Sequence, residues 1–260
     1  FRRDASGLAE PHALVLDFGR NAAPDGRALL VLNGWVDWPD GSTFVGAAQR
    51  GAGRIPELQV RDARGAWRTV VADMGMPAGK PKTIVVDLTG KFLSTSREVR
   101  IVTDLCVYWD EIYLSEDTAV PEMRLTPVPT ASAALRFHGF SEARIDPLRL
   151  RPEEFVYGRV VSAPWNPVPG RYTRYGDVRD ILAGADDHLA VFGSGDEIAL
   201  EFDARALPPL PAGWRRDYLL LVDGWAKDSD ANTAFAGSVA PLPFHGMSGY
   251  PYRADERFPG

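Results

Sequence analysis

The run LLVLNGWVDWPDGST at residues 29–43 decides the fold, because the chain repeats its pattern as LLLVDGWAKDSDANT at residues 219–233. In each copy an apolar run ends at Gly-Trp and leads into an acidic, turn-rich loop. A short apolar run bounded by turn residues predicts a buried β-strand. We therefore expect two strand-to-loop corners, each with its tryptophan in the core. At a constant offset of 190 residues, the identical positions after the apolar runs pair Gly34, Trp35, Asp40 and Thr43 with Gly224, Trp225, Asp230 and Thr233.

The pattern around each corner extends toward the N-terminus. LVLDF at 14–18 and ALEF at 199–202 each precede a Gly-Trp run by a turn-rich link. A shorter echo is FHGFS at 137–141 and FHGMS at 244–248. Two arrangements fit this repeat: two homologous sandwiches in tandem, or a partial second unit that packs on the first.

The spacing of strands and turns predicts the fold class. Strand-length apolar runs recur with turn signals roughly every 8–12 residues, as in β-sandwiches. The 25 glycines and 21 prolines are dispersed, which indicates many turns. We predict an all-β protein of two packed, jelly-roll-like β-sandwich units with very little helix.

The predicted domains are a sandwich at 1–118 and a second β-rich domain at 131–260, joined by a proline-rich linker at 119–130. The strands predicted in the first domain are 13–18, 28–34, 43–48, 58–62, 67–71, 83–88, 98–104 and 107–114. In the second domain we predict the repeat strand at 217–224 and short helices at 151–157 and 177–182.

Composition disfavours several classes of protein. The formal net charge of −6 argues against nucleic acid and against an anionic membrane surface, since both attract basic proteins. The single cysteine, Cys106, rules out an internal disulfide and a cysteine zinc site, and its apolar neighbours predict that it is buried. No apolar run approaches the roughly 20 residues that a membrane helix needs. Because the chain begins at Phe1, we expect a piece or a processed form of a longer protein.

The second acidic loop is the best candidate for a cation site. Alternating oxygen side chains in a tight loop can converge on Ca²⁺, and we predict a structural calcium ion here. The EF-hand motif does not fit, because Thr233 and Val239 stand where it needs glycine and glutamate. The alternative is a solvated turn whose side chains cap backbone N–H groups. The candidate ligands are Asp223, Asp228, Asp230 and Asn232.

A second acidic feature lies in the strand YWDEIYL at 108–114. Asp110 and Glu111 lie beside aromatic residues, as acidic pairs do in the last strand of jelly-roll carbohydrate-binding modules. Strand alternation predicts that one of the two faces inward. A buried carboxylate needs either a cation or an arginine or backbone partner.

Signals for catalysis are weak. None of the four histidines is spaced as a metal pair on one element, and no nucleophile elbow, phosphate loop or dinucleotide fingerprint occurs. The Phe-His-Gly copies leave two alternatives: His138 and His245 meet each other, or each fills its own half-buried hydrogen-bonding position. The catalytic alternative is a metal-dependent hydrolase that uses Asp228, Asp230 and a histidine.

Aromatic residues in loops predict a carbohydrate-binding surface. Aromatic rings stack on sugar faces, while neighbouring Asp, Asn and Arg side chains bond the hydroxyls. The alternative is that these rings cover the ends of the sandwich. The predicted ligand-binding residues are Trp38, Trp165, Tyr172, Tyr175 and Tyr250.

Four segments together resemble one family. RDYLLLVDGWAKDSDANTAF, PLPFHGMSGYPY, WNPVPGRYTRYGDV and GSGDEIALEFDA are similar to the C-terminal region of bacterial proteins that carry FG-GAP repeats, UnbV-like (cartilage acidic protein-like) segments or tetratricopeptide repeats. The resemblance implies a β-rich module of an exported, extracellular or periplasmic protein. It implies no activity and no catalytic residues. It also implies that the other domains of the parent protein are partners.

From these patterns we expect a non-catalytic binding or assembly module, with carbohydrate as a candidate ligand and calcium as a structural ion. A purely structural appendage that docks on the rest of its parent protein is the main alternative. That alternative predicts a large exposed apolar patch.

Overall fold

The structure is a computed structural model, and it describes residues 2, 4, 8–19, 26–36, 40–78, 81–116, 122–148, 151–164 and 166–259. This part of the chain contains twelve β-strands, one α-helix and one 3₁₀ turn. The predicted all-β, sandwich-like fold with little helix is therefore confirmed. The helices in the described ranges include none with the length and apolar character that a membrane crossing requires.

The chain divides into two compact units. The first consists of Phe1–Glu122 and Ile145–Glu153, and the second of Met123–Arg144 and Glu154–Gly260. The first change of unit comes inside the stretch predicted as a linker, 119–130. The return of Ile145–Glu153 to the first unit was not predicted.

The first unit has seven strands: β1 (Leu8–Asp17), β2 (Leu29–Val36), β3 (Glu57–Arg61), β4 (Trp67–Val71), β5 (Lys82–Asp87), β6 (Glu98–Leu105) and β7 (Val107–Ser115). They form two antiparallel sheets, with the orders β1-β6-β3-β4 and β5-β2-β7. β2 is therefore the central strand of the smaller sheet.

The core of the first unit shows why β2 takes this position. Its inward residues Leu30, Leu32 and Val36 are only 0–2% exposed, and they alternate with half-buried neighbours. Fully burying one such side chain stabilises the fold by about 1.5–3 kcal/mol. The cluster around Leu30 and Leu32 includes side chains from both sheets: Leu58, Val60, Val86, Leu88, Val99 and Ile101.

Residues 43–48 form a helix, and the strand predicted there is wrong. Helix α1 (Gly41–Gln49) begins after Asp40, whose side chain accepts a hydrogen bond from the Thr43 N–H at 2.7 Å. This N-cap pairs one of the N–H groups that a helix start leaves unsatisfied, and the same bond lowers the pKa of Asp40. Ala47 is the buried residue of the helix and belongs to a cluster with Leu8 and Leu105.

The second unit has five strands: β8 (Thr130–Phe137), β9 (Phe140–Arg144), β10 (Glu154–Val161), β11 (Gly176–Asp177) and β12 (Asp196–Phe202). They form the sheets β11-β8-β12 and β10-β9. The short helices predicted at 151–157 and 177–182 are wrong: the first region enters β10, and the second is a series of turns after β11. The core here is small, with Ala133, Leu135 and Val178 as its buried residues.

The strand predicted at 217–224, the second copy of the repeat, is also wrong. After β12 the described chain forms only the 3₁₀ turn Ala204–Ala206, further turns and irregular segments. An apolar run becomes a strand only when other strands pair with its backbone. The first copy has β5 and β7 for that purpose, and the second has no such neighbour among the described residues.

The two repeat glycines give a test of this difference. A Cβ at Gly34 would meet the Tyr108 carbonyl oxygen and would lie 2.9 Å from Trp109 Cε3, both in β7. A Cβ at Gly224 would meet nothing within 4 Å. We expect Gly34→Ala to lower the free energy of unfolding by about 1–3 kcal/mol, because the backbone of β7 must move.

Gly224→Ala is the matched control, and it should change the free energy of unfolding by no more than about 0.5 kcal/mol. Urea unfolding of both variants, followed by circular dichroism, measures the difference. Equal losses in the two variants would contradict the close approach of β7 to Gly34.

Candidate functional site

The most unusual surface of the protein is the apolar run at 219–222, called here the LLLV segment. Leu219, Leu220, Leu221 and Val222 are 90%, 59%, 87% and 74% exposed. Its neighbours Tyr218 and Trp225 are also more than half exposed. Isolated exposed apolar residues are ordinary, whereas a contiguous exposed run is uncommon and is typical of surfaces that bind a partner.

The first copy of the repeat has the opposite environment. Leu30 pairs with Val86 of β5 on one side and with Leu114 of β7 on the other. Leu32 pairs in the same way with Ile84 and Ile112. The same apolar pattern is thus fully covered in one unit and open to solvent in the other.

The Gly-Trp corners differ for the same reason. Trp35 stacks on Tyr108 of β7, with ring centroids 4.6 Å apart and an interplanar angle of 12°. Trp225 is 52% exposed and contacts Tyr250 at a tilt of 49° and 5.2 Å. The prediction that both tryptophans fill the core is therefore wrong. Trp35 is half-buried on the face of β2 opposite Leu30, and no strand of the described chain covers Trp225.

The loop after each corner keeps part of the same structure. Residues 231–239, at the repeat offset from α1, form consecutive turns in place of a helix. Thr233 N–H donates to the Asp230 carbonyl oxygen at 2.9 Å, and Ala236 N–H donates to Thr233 at 3.1 Å. The second copy therefore has separate turns where the first copy has a helix.

The LLLV segment is held at both ends although its side chains are open. Upstream, the Arg216 guanidinium donates to the Pro208 carbonyl oxygen at 2.7 Å. Downstream, Lys227 Nζ donates to the Ser238 and Val239 carbonyl oxygens at 3.0 and 2.9 Å, and it lies over the Tyr250 ring. Hydrogen bonds therefore hold the chain on both sides of the apolar run.

A third contact beside the LLLV segment is made by His245, whose ring bridges two carboxylates. Its Nδ1 lies 2.9 Å from Asp187 Oδ1 and its Nε2 lies 3.0 Å from Asp223 Oδ2. The His245 backbone N–H also donates to Asp187 at 2.8 Å. The hydrogen bond to Asp187, followed by that to Asp223, raises the pKa of His245. Sequence reasoning missed this bridge, because its three residues are far apart in the chain.

The predicted calcium ligands are separated into two roles. Asp228 and Asp230 accept hydrogen bonds from the backbone N–H groups of Asp230 and Asn232, at 3.2 and 2.8 Å, as in the turn alternative. Asp223 instead bonds His245. Among the described residues, no group of three or more His, Cys, Asp or Glu side chains is arranged to hold a metal ion.

The acidic pair in β7 does not face inward, so that prediction is wrong. Asp110 and Glu111 are both exposed. The register between β2 and β7 shifts after Asn33, which pairs with Glu111, while Gly34 pairs with Trp109. Asp110 is the extra residue of this β-bulge, and a bulge interrupts the alternation on which the prediction rested.

The two Phe-His-Gly copies have separate partners. His138 stacks on Tyr157 at 4.1 Å, and its Nε2 lies 3.1 Å from the Tyr157 carbonyl oxygen. Tyr157 donates its hydroxyl to Glu197 at 2.9 Å, and Arg136 Nε lies 2.6 Å from the same carboxylate. The bond from Arg136 lowers the pKa of Glu197. Each histidine thus fills its own hydrogen-bonding position.

The predicted sugar-binding aromatics fall into three groups. Trp38 and Trp165 lie outside the described residues. Tyr172 and Tyr175, 38% and 55% exposed, donate their hydroxyls to the Val168 carbonyl oxygen and to Asp196. Tyr250 is half-buried and donates to the Pro241 carbonyl oxygen at 2.9 Å.

The chain matches no protein-family model, no curated protein and no solved structure. The second copy of the repeat is therefore compared with the first copy in the same chain, which has a partner strand on each side.

The histidine bridge predicts a pH dependence. A protonated His245 is stabilised by both carboxylates, so its contribution to stability is present below its ordinary pKa of 6.5 and is lost as pH rises through its raised pKa. We expect an NMR titration to place the pKa of His245 above 6.5 in the wild type. Asp187→Asn should lower that pKa most, and Asp223→Asn should lower it less.

Asp228→Asn is the control, because the Asp228 side chain caps a turn, whereas His245 bonds Asp187 and Asp223. It should leave the titration of His245 unchanged. A wild-type pKa of His245 that neither substitution at the bridge lowers would contradict the bridge.

Proposed function

We propose that this chain is a non-catalytic assembly module, which docks on a protein partner through the LLLV segment. The observation that carries the proposal is the exposure of four consecutive aliphatic side chains, at 59–90%, in a segment fixed at both ends. An exposed apolar surface is unfavourable in water, and burying it against a partner removes that cost.

The free energy gained by burying the LLLV segment indicates which other contacts the partner must make. Burying four such side chains contributes about 6–12 kcal/mol. Association costs about 4–15 kcal/mol in lost translational and rotational freedom. The four side chains alone therefore give weak binding, and the partner must also use the backbone or the neighbouring aromatics.

The polar groups support a structural role over the hydrolase alternative. Asp228 and Asp230 cap backbone N–H groups. His245 bonds Asp187 and Asp223. These side chains stabilise the loop that follows the LLLV segment, which is what a docking surface needs.

Carbohydrate binding is the second candidate. Tyr175 is 55% exposed, and its hydroxyl is fixed by Asp196, so its ring is held as a stacking surface. A structural calcium ion, an exported location and the other domains of the parent protein as partners stay predictions. Elemental analysis of the purified protein measures calcium directly.

A glycan array tests the carbohydrate candidate. We expect Tyr175→Ala to abolish any specific glycan signal, because the ring supplies the stacking surface. Tyr113→Ala is the control, since Tyr113 is 48% exposed but belongs to the first unit. An array without signal for the wild type removes this candidate.

The docking proposal is tested with a photo-crosslinking amino acid at position 221 and, as control, at position 125. Leu221 and Leu125 are 87% and 89% exposed. In the native host, we expect position 221 to give one defined protein adduct that position 125 does not give. The protein identified by mass spectrometry is then purified and its affinity measured.

Leu220→Ser should weaken this purified complex about tenfold or more, because Leu220 corresponds to the inward Leu30 of the first copy and a buried leucine contributes about 1.5–3 kcal/mol. Leu125→Ser should leave the affinity unchanged. Equal affinities for both variants would show that the LLLV segment is not the docking surface.

A further inference from the structure

We propose that the LLLV segment accepts an antiparallel β-strand from the partner, with aliphatic side chains at alternate positions. The partner then supplies to the second unit what β7 supplies to the first. This inference rests on the proposed docking function and names the partner's chemistry. Strand addition to an open backbone is a common mode of peptide recognition.

The backbone of the LLLV segment is free for such pairing. It makes no hydrogen bond to any described residue, whereas the backbone of β2 is paired on both sides. Backbone pairing supplies the additional contacts that four side chains alone lack. An incoming strand thus satisfies polar groups and covers apolar ones at the same time.

The first copy gives the register of the incoming strand. At the repeat offset, Leu220 and Val222 correspond to Leu30 and Leu32, the inward residues of β2. In β7, Leu114 and Ile112 lie opposite those two residues. The partner strand should therefore carry aliphatic residues at two alternate positions opposite Leu220 and Val222.

Gly224 identifies the side on which the strand lies. In the first copy the corresponding Gly34 is pressed against Tyr108 and Trp109 of β7, which leave no room for a Cβ. In the second copy the same position is open for more than 4 Å. A strand that approaches as β7 does would close this space, and only glycine would fit beneath it.

The probe is a synthetic peptide with the β7 sequence VYWDEIYLS, residues 107–115, flanked by lysines for solubility. It is titrated into the full ¹⁵N-labelled chain. We expect saturable chemical-shift changes and slowed amide exchange at 219–224. A peptide with Ile112→Ser and Leu114→Ser should bind at least tenfold more weakly, whereas a peptide with the outward Tyr113→Ser should bind like the original.

Two variants of the protein locate the strand. Gly224→Val should weaken peptide binding at least tenfold without changing the free protein's spectrum beyond the site. Gly237→Val is the control, because a Cβ at Gly224 or at Gly237 meets nothing within 4 Å in the free chain. Equal binding by the two variants, or no binding of the peptide at 1 mM, the highest concentration tested, would overturn strand addition.

The failures of the two proposals are distinguishable. If the peptide does not bind while binding of the crosslinked partner is still weakened by Leu220→Ser, docking stands and the strand mode is wrong. If Leu220→Ser weakens the binding of neither the peptide nor the partner, both are wrong. Analytical ultracentrifugation tests whether a second copy of this chain binds the segment: a dimer that Leu220→Ser dissociates would replace the partner strand with a second copy.

Discussion

An apolar strand is stable only when other strands pair with its backbone and other side chains cover its faces. β2 meets both conditions, since β5 and β7 flank it and Leu30 and Leu32 lie at the centre of the core. The sandwich of the first unit depends on this arrangement. The close contact of β7 with Gly34 and the stacking of Tyr108 on Trp35 both require it.

The second unit repeats the apolar sequence pattern of β2, but in the described chain this run has neither a pairing strand nor side chains that cover it. Its small sheets and three-residue buried core leave the LLLV segment without a strand beside it in the described chain. Hydrogen bonds that Arg216 and Lys227 donate to backbone carbonyl oxygens, and one that Asp223 accepts from His245, fix the flanking loops instead. The segment is therefore positioned by polar contacts while its apolar side chains stay exposed, which is the opposite of the usual division between core and surface.

The charged residues that suggested chemistry mostly serve local structure. Asp40, Asp228 and Asp230 accept hydrogen bonds from nearby backbone N–H groups. His245 and Glu197 sit in small polar networks that join separate segments of the second unit. The candidate site is therefore the exposed apolar segment at 219–222 and not the acidic loop that follows it.

The sequence by itself determined the all-β class, the buried Cys106 and most strands of the first unit, because alternation and turn residues are local signals. It could not show that 219–222 is exposed, since its letters nearly match those of β2. Whether an apolar run becomes a strand depends on partners distant in the chain, and only the tertiary structure shows which partners are present. The same holds for the bulge at Asp110, the helix after Asp40 and the bridge at His245, each of which depends on contacts rather than on composition.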